Sequence, residues 1–158
     1  MKVLLQRVEN ASVEAGGVRV GAIGRGLLVF AGVEKGDKAS EALRMASKIA
    51  RFRIFEDEQG KMNRSVLETR GEILLISQFT LAADVEHGNR PGFDPAERPE
   101  SAKTILEILA RGMREEGLEV REGVFGSRMK VRLTNEGPVT FLLASSPVGP
   151  RRDAALGF

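Results

Sequence analysis

The feature that most constrains this fold is a shortage of helix. Seven stretches of the chain read as strands and only two as helices. Leu27 to Val33 is an unbroken apolar run, and Glu72 to Leu81 carries another in Ile73-Leu74-Leu75-Ile76. Runs of this length between turn residues suit strands buried on both faces. Lys2 to about Val13 reads as a strand, Gly16-Gly17 as a turn, and Val18 to Ile23 as a second short strand. Leu118 to Glu122 is short; Met129, Val131 and Leu133 alternate with Lys130, Arg132 and Thr134, the period of a half-buried strand. Asn135-Glu136-Gly137-Pro138 has hairpin-turn chemistry, with Val139 to Ala144 as the last strand.

The helices are expected from Asp37, as N-cap, to Arg51 and from Pro99 to Gly117. Leu43, Ala46, Ile49 and Ala50 would face the core in the first; Ile105, Leu109 and Met113 would do so in the second. Phe52 to Arg70 reads as irregular, with a turn at Asp57-Glu58-Gln59-Gly60, and Ala82 to Arg98 as a polar loop. Two helices cannot cover both faces of a doubly wound parallel sheet. The expected fold is therefore α/β with a mixed or antiparallel sheet, curled or closed into a barrel. The 158 residues suit one domain, taken as 1–145, with 146–158 as a mobile tail outside the core.

Composition narrows the chemistry. With no cysteine, there is no disulfide framework, thiol nucleophile or cysteine metal site. No run is apolar enough to span a bilayer, and the N-terminus reads as a strand rather than a leader, so a cytoplasmic protein with no membrane partner is expected. A metal site could be drawn from Asp84, Glu86 and the single histidine, His87, but an exposed loop histidine is the more economical reading. A Ser-His-Asp triad would have to use that histidine, and no Gly-x-Ser-x-Gly elbow accompanies it. Gly24-Arg25-Gly26 sits between strands and reads as a turn, not a phosphate loop. The formal charge of +2 argues only weakly for nucleic acid. Basic residues gather at Arg51 and Arg53 and at Arg128, Lys130 and Arg132, where a solvated surface is the simpler reading on charge alone.

Two segments resist a purely structural account. Ser77-Gln78-Phe79-Thr80 places polar side chains at the end of a buried run, where each must find a partner or serve a site. Asn135 to Thr140 combines a glycine-proline pair with flanking polar residues. Together the two resemble the signature pair of the D-aminoacyl-tRNA deacylase family. Val3 to Val13, Gly26-Leu27-Leu28-Val29 with Gly32-Val33-Glu34, Arg53-Ile54-Phe55 with Gly60-Lys61-Met62-Asn63, and Leu81-Ala82-Ala83-Asp84 fit as well. The resemblance runs from Met1 to about Leu143.

The resemblance implies that family's fold and a cytoplasmic, metal-independent homodimer without cofactor. Its partner would be the 3′-terminal adenosine of aminoacyl-tRNA; no DNA is expected. Ser77, Gln78, Phe79 and Thr80 would line the pocket, with Phe125 and Met129 as further, less secure matches. Gly137-Pro138 would be cis and enter the other protomer's pocket, oriented by Arg7. The implied reaction is ester hydrolysis of D-aminoacyl-tRNA, and of glycyl-tRNA, with L-aminoacyl groups rejected, a proofreading step in translation. Catalysis has two readings: Thr80 as nucleophile, or no side-chain nucleophile, with substrate orientation (Gln78 included), backbone N–H donors and the ribose 2′-hydroxyl doing the work. The resemblance and the lack of a catalytic histidine favour the second. A non-catalytic RNA-capture module and a hydrolase of another acylated nucleotide are the competing classes.

Overall fold

The computed structural model describes residues 1–145; the expected tail from 146 onward lies outside them. Eight strands and two helices follow in the order β1 (Lys2–Ala15), β2 (Val18–Ile23), β3 (Gly26–Gly32), α1 (Ala39–Arg51), β4 (Arg53–Glu56), β5 (Met62–Ser65), β6 (Glu72–Ser77), α2 (Pro99–Glu115), β7 (Val120–Glu122) and β8 (Met129–Ala144). A 3-10 turn, Phe79–Ala82, follows β6. No helix among the described residues is long and apolar enough to cross a membrane.

β1 organises the main sheet. Along one edge it pairs antiparallel with β3 from Lys2 to Val8 and with β2 from Ala11 to Ala15. Along the other edge it pairs with β8 over nearly its whole length. β6 then runs parallel to β3, and β7 parallel to β6. The sheet is mixed and curls until β2 faces β6 and β7: a Cβ at Gly21 would lie 3.2 Å from the Glu122 carbonyl oxygen and 3.2 Å from Leu74 Cδ1. The expected mixed, curled sheet with two main helices is the fold observed.

The apolar runs have a physical reason. Leu28, Leu74 and Ile76 point into the curl, where they pack with Val8, Ala11, Val13 and Ile23. Their neighbours Leu27, Val29, Ile73 and Leu75 point outward, beneath α1 and α2. Both faces of β3 and β6 are thus buried, so no polar alternation survives. The helices touch closely, for a Cβ at Gly112 of α2 would lie 2.9 Å from Ala46 Cβ of α1.

Five local expectations are corrected. Lys38, not Asp37, is the N-cap of α1, with the Glu41 carboxylate accepting the Lys38 N–H at 2.8 Å. Asp37 instead accepts from the Glu34 N–H at 2.7 Å and from the Met1 ammonium. Leu43 is 43% exposed; Ala42 and Met45 take the core positions with Ala46, Ile49 and Ala50. The segment 52–70 contains an antiparallel hairpin, β4 and β5, whose turn is held by the Asp57 carboxylate accepting N–H groups of Gln59 and Lys61. β6 stops at Ser77, and the residues expected to extend it to Leu81 form the 3-10 turn. Asn135 to Pro138 is not a hairpin: β8 is one strand, and the segment bulges from it. There Gln6 pairs with Thr140 and Val8 with Asn135, so Arg7 alone stands opposite residues 136–139.

Gly26 tests the β3–β6 junction. A Cβ there would lie 1.9 Å from the Glu72 carbonyl oxygen. Gly26→Ala is expected to cost about 3 kcal/mol, the upper end of overpacking effects, because backbone rather than a flexible side chain blocks the space. Urea unfolding measures it; an unchanged midpoint would contradict the close parallel pairing described here.

Candidate active site

A cleft of about 610 Å³ opens where the parallel strands β3 and β6 end. Crevices beyond the carboxyl ends of parallel strands are common ligand sites, since chain connections diverge there. One wall is Ala31, Val33, Ile76, Ser77, Gln78 and Phe79; a second is Ala96, Glu97 and the head of α2 through Pro99, Ala102 and Leu106. The loop Phe125–Arg128 and the start of β8, Met129 and Val131, close it.

Two glycines allow these walls to form. A Cβ at Gly32 would meet the Gln78 carbonyl oxygen at 2.7 Å, so the 3-10 turn can lie against the end of β3 only because that residue has none. A Cβ at Gly123 would lie 2.6 Å from Met129 Sδ, so the Met129 side chain rests on bare backbone. The Gln78 N–H donates to the Ala31 carbonyl at 2.8 Å, continuing the ladder one residue past β6.

The polar side chains are few. Gln78 Nε2 donates to Thr80 Oγ1, so these two residues hold one another. Thr80 is exposed and outside the residues lining the cleft. Phe79 is 60% exposed and meets Phe93 edge-on, with ring centroids 5.1 Å apart. Glu97 Oε1 accepts the Arg98 N–H at 2.7 Å. Glu97 and Ser127 carry no pocket signal in the sequence, and Arg128 reads there only as part of a basic cluster.

Arg7, Gly137 and Pro138 form a second constellation away from this cleft. The Arg7 guanidinium is 4% exposed. Its Nη1 donates to the Ile54 carbonyl at 2.8 Å, its Nε to the Glu136 carbonyl at 3.0 Å, and its Nη2 meets Glu56 Oε1 at 3.3 Å. Arg7 therefore grips the residue just before the cis Gly137–Pro138 bond. Asn135 Nδ2 spans the bulge, donating to the Arg7 carbonyl at 3.0 Å and the Val139 carbonyl at 3.1 Å. A Cβ at Gly137 would lie 2.1 Å from Asn135 Oδ1, which explains glycine there.

His87 Nδ1 lies 3.1 Å from Asp84 Oδ2 in an exposed loop. The Asp84 carboxyl sits below its ordinary range because the Glu86 N–H donates to it, with His87 contributing second. Among the described residues no group of three or more His, Cys, Asp or Glu is placed to hold a metal ion.

Residues 4–144 match the family described as D-Tyr-tRNA(Tyr) deacylase. The chain belongs to this family. A D-aminoacyl-tRNA deacylase of Geobacter sulfurreducens is 51% identical over 143 residues, 90% of this chain and 94% of that protein. One of Ruegeria sp. is 48% identical over 99% of both chains. A solved structure described as c-Myc DNA Unwinding Element Binding Protein superposes with a TM-score of 0.87 at 40% identity, covering 93% of this chain and all of that one. A probable eukaryotic D-amino acid tRNA deacylase shares the fold, with a TM-score of 0.77 at 18% identity over 90% of this chain and 97% of its own. The family is one of carboxylic ester hydrolases, and this chain is a deacylase of that kind.

Asn135 gives a test of the second constellation. Asn135→Ala would leave the Arg7 and Val139 carbonyls without their donor, at an expected cost of about 2 kcal/mol. Denaturant unfolding of this variant beside Asn135→Asp, which keeps the shape and loses the N–H donors, should show comparable losses. A neutral result for both would mean that the bulge is held by other contacts.

Proposed function

We propose that this protein hydrolyses the ester joining D-amino acids, and glycine, to tRNA, and so proofreads aminoacyl-tRNA in the cytoplasm. The observation that carries this reading is the match to deacylases at about half identity over nine-tenths of the chain. The cleft supports it by its size and by walls that are mostly apolar, with few polar groups.

In this reading the 3′-terminal adenosine and its aminoacyl group occupy the cleft, against Ser77, Gln78, Phe79, Phe125 and Met129. Water adds to the acyl carbon, the bond to the ribose oxygen breaks, and that oxygen takes a proton. Free amino acid and tRNA leave. Phe79 opens the 3-10 turn, so no carbonyl within the turn takes its N–H group, and this is the donor offered to the oxyanion. Thr80 is held by Gln78, and among the described residues no histidine or carboxylate is bonded to its hydroxyl. That arrangement favours orientation over nucleophilic attack, since a threonine nucleophile needs a base. The ribose 2′-hydroxyl is then left to assist the water.

Selectivity is assigned to Gly137 and Pro138 of a second copy of this chain. These residues line no part of their own cleft, yet their neighbours are anchored, Glu136 by Arg7 and Val139 by Asn135. Among the described residues the outer edge of β8 pairs with no strand, and Leu142 on it is 60% exposed, so this side suits a homodimer contact. Two carbonyl oxygens placed in the partner's cleft would bind the substrate ammonium and occupy the space an L side chain needs. Glycine has no side chain to exclude and passes.

The deciding assay compares matched D- and L-aminoacyl-tRNA, on one tRNA and one amino acid, with chelator present. Release of the D-residue alone is the expected result. Equal release from both would overturn the selectivity reading, and release from neither would favour a capture module. For the mechanism, Thr80→Ala is expected to keep kcat within about tenfold, roughly 1.4 kcal/mol of barrier. Abolished turnover with unaltered substrate binding would instead make Thr80 the nucleophile.

A further inference from the structure

Arg128 stands between two concavities. It lines the main cleft, and it also lines a groove of about 210 Å³ formed with Glu14, Gly16, Gly17, Met129 and Lys130. Lys130 lies on β8 two residues after Arg128, which ends the loop before the strand, and both line the groove. Both side chains are exposed. The groove is open because its far bank is the β1–β2 turn, where a Cβ at either Gly16 or Gly17 would meet nothing within 4 Å.

The groove is lined by two cations, Arg128 and Lys130, and one carboxylate. Its one carboxylate, Glu14, is already taken by an ion pair with Arg132, the next residue on the same side of β8. Among the described residues neither Arg128 nor Lys130 has a carboxylate within ion-pair distance. Two adjacent unmatched cations beside a groove make a site for an anion, and the continuity of the groove with the cleft says which anion.

We propose that Arg128 and Lys130 bind successive backbone phosphates of the single-stranded tRNA 3′ end as it leaves the cleft, and that the groove beside the β1–β2 turn carries that strand away. The proposal rests on the reading that the cleft holds the terminal adenosine. A nucleotide chain leaving the cleft on this side passes Arg128 first, so the phosphate next to the terminal nucleoside meets its guanidinium, which can bind bidentately. The following phosphate meets the Lys130 ammonium. Neither residue reads a base, so this contact adds affinity without selecting a tRNA sequence.

The test compares D-aminoacyl-tRNA with the corresponding D-aminoacyl-adenosine, which has no phosphate. Arg128→Ala, Lys130→Ala and the double variant are measured with both. The ratio of kcat/KM for tRNA to that for the adenosine ester should fall severalfold in each single variant and more than tenfold in the double. The logarithm of kcat/KM for tRNA should also depend less steeply on the logarithm of salt concentration. Two lost contacts to a single strand should reduce that slope by about 1.4. An unchanged ratio and slope would overturn the proposal, as would equal losses on both substrates, since these would mean that the residues shape the cleft alone. Binding of uncharged tRNA is measured alongside. If the wild-type protein hydrolysed neither ester, the hydrolase reading would fail, while a weaker and less salt-dependent tRNA complex in the double variant would still uphold this one. Equal tRNA binding by wild type and double variant would reject it.

Discussion

A guanidinium buried in the middle of β1 fixes the relation between the sheet, the hairpin and the bulge. Arg7 cannot leave its donors unmet at 4% exposure without a large desolvation cost. Its acceptors come from two separate elements: Ile54 and Glu56 on β4, and Glu136 on β8. One side chain thus docks the β4–β5 hairpin and opens β8 at the point where four residues face one. Arg25 adds a second hold on Glu136, at 3.3 Å, with its guanidinium over the Phe55 ring. The two arginines are not equal. Arg25 is 56% exposed, and an exposed ion pair contributes about 0–1 kcal/mol. Arg7 is itself buried and bonds the Glu136 backbone directly, so the shape of the bulge follows from Arg7.

The cleft depends on a different device, the change from antiparallel to parallel pairing. β1 can be flanked by β2, β3 and β8 through short turns or direct antiparallel pairing, but β3, β6 and β7 run parallel and need crossovers. Those crossovers contain α1, the hairpin and α2, and they leave the ends of β3 and β6 uncovered. The head of α2 and the loop before β8 stand around that gap without filling it. Gly32 and Gly123 set how near the walls come, because each allows a neighbouring segment to lie directly on backbone.

Much of this was legible from residue pattern. Continuous apolar runs gave β3 and β6, alternation gave the first half of β8, and Pro99 and Gly117 bounded α2. What was not legible depended on partners remote in sequence. Asp37 has good capping chemistry, but the Met1 ammonium and the Glu34 N–H recruit its carboxylate. Asn135 to Pro138 has the residues of a hairpin turn, and only the continued pairing of β1 on both sides of it makes a bulge. β5, as Met62-Asn63-Arg64-Ser65, has too little apolar character to announce a strand; pairing with β4 defines it. In the site, Ser77 to Thr80 stood out as polar residues ending a buried run. The presence of Phe125 and Met129 beside Ser77 and Gln78 was implied by family resemblance alone, because no local pattern encodes a loop folding back over a strand end. Glu97 gave no signal: a glutamate before a helix looks like any other.

In the proposed reading, β8 explains why a second copy of this chain is needed. Its first residues wall the cleft, and its bulge lies eight residues further on, about 27 Å along the strand. A strand paired throughout with β1 cannot fold back to bring Gly137 to Met129. Any chemistry that needs both ends of β8 at one substrate therefore requires two molecules, with the bulge of each directed to the cleft of the other. The same rigidity suits a filter. In the proposed reading the Gly137 and Pro138 carbonyls, flanked by Glu136 held by Arg7 and Val139 held by Asn135, have no rotamers to yield, whereas a side chain in that role could turn aside. Exclusion by fixed backbone acts on the configuration at the α-carbon and is indifferent to the side chain beyond it, which is what a single enzyme serving many amino acids requires.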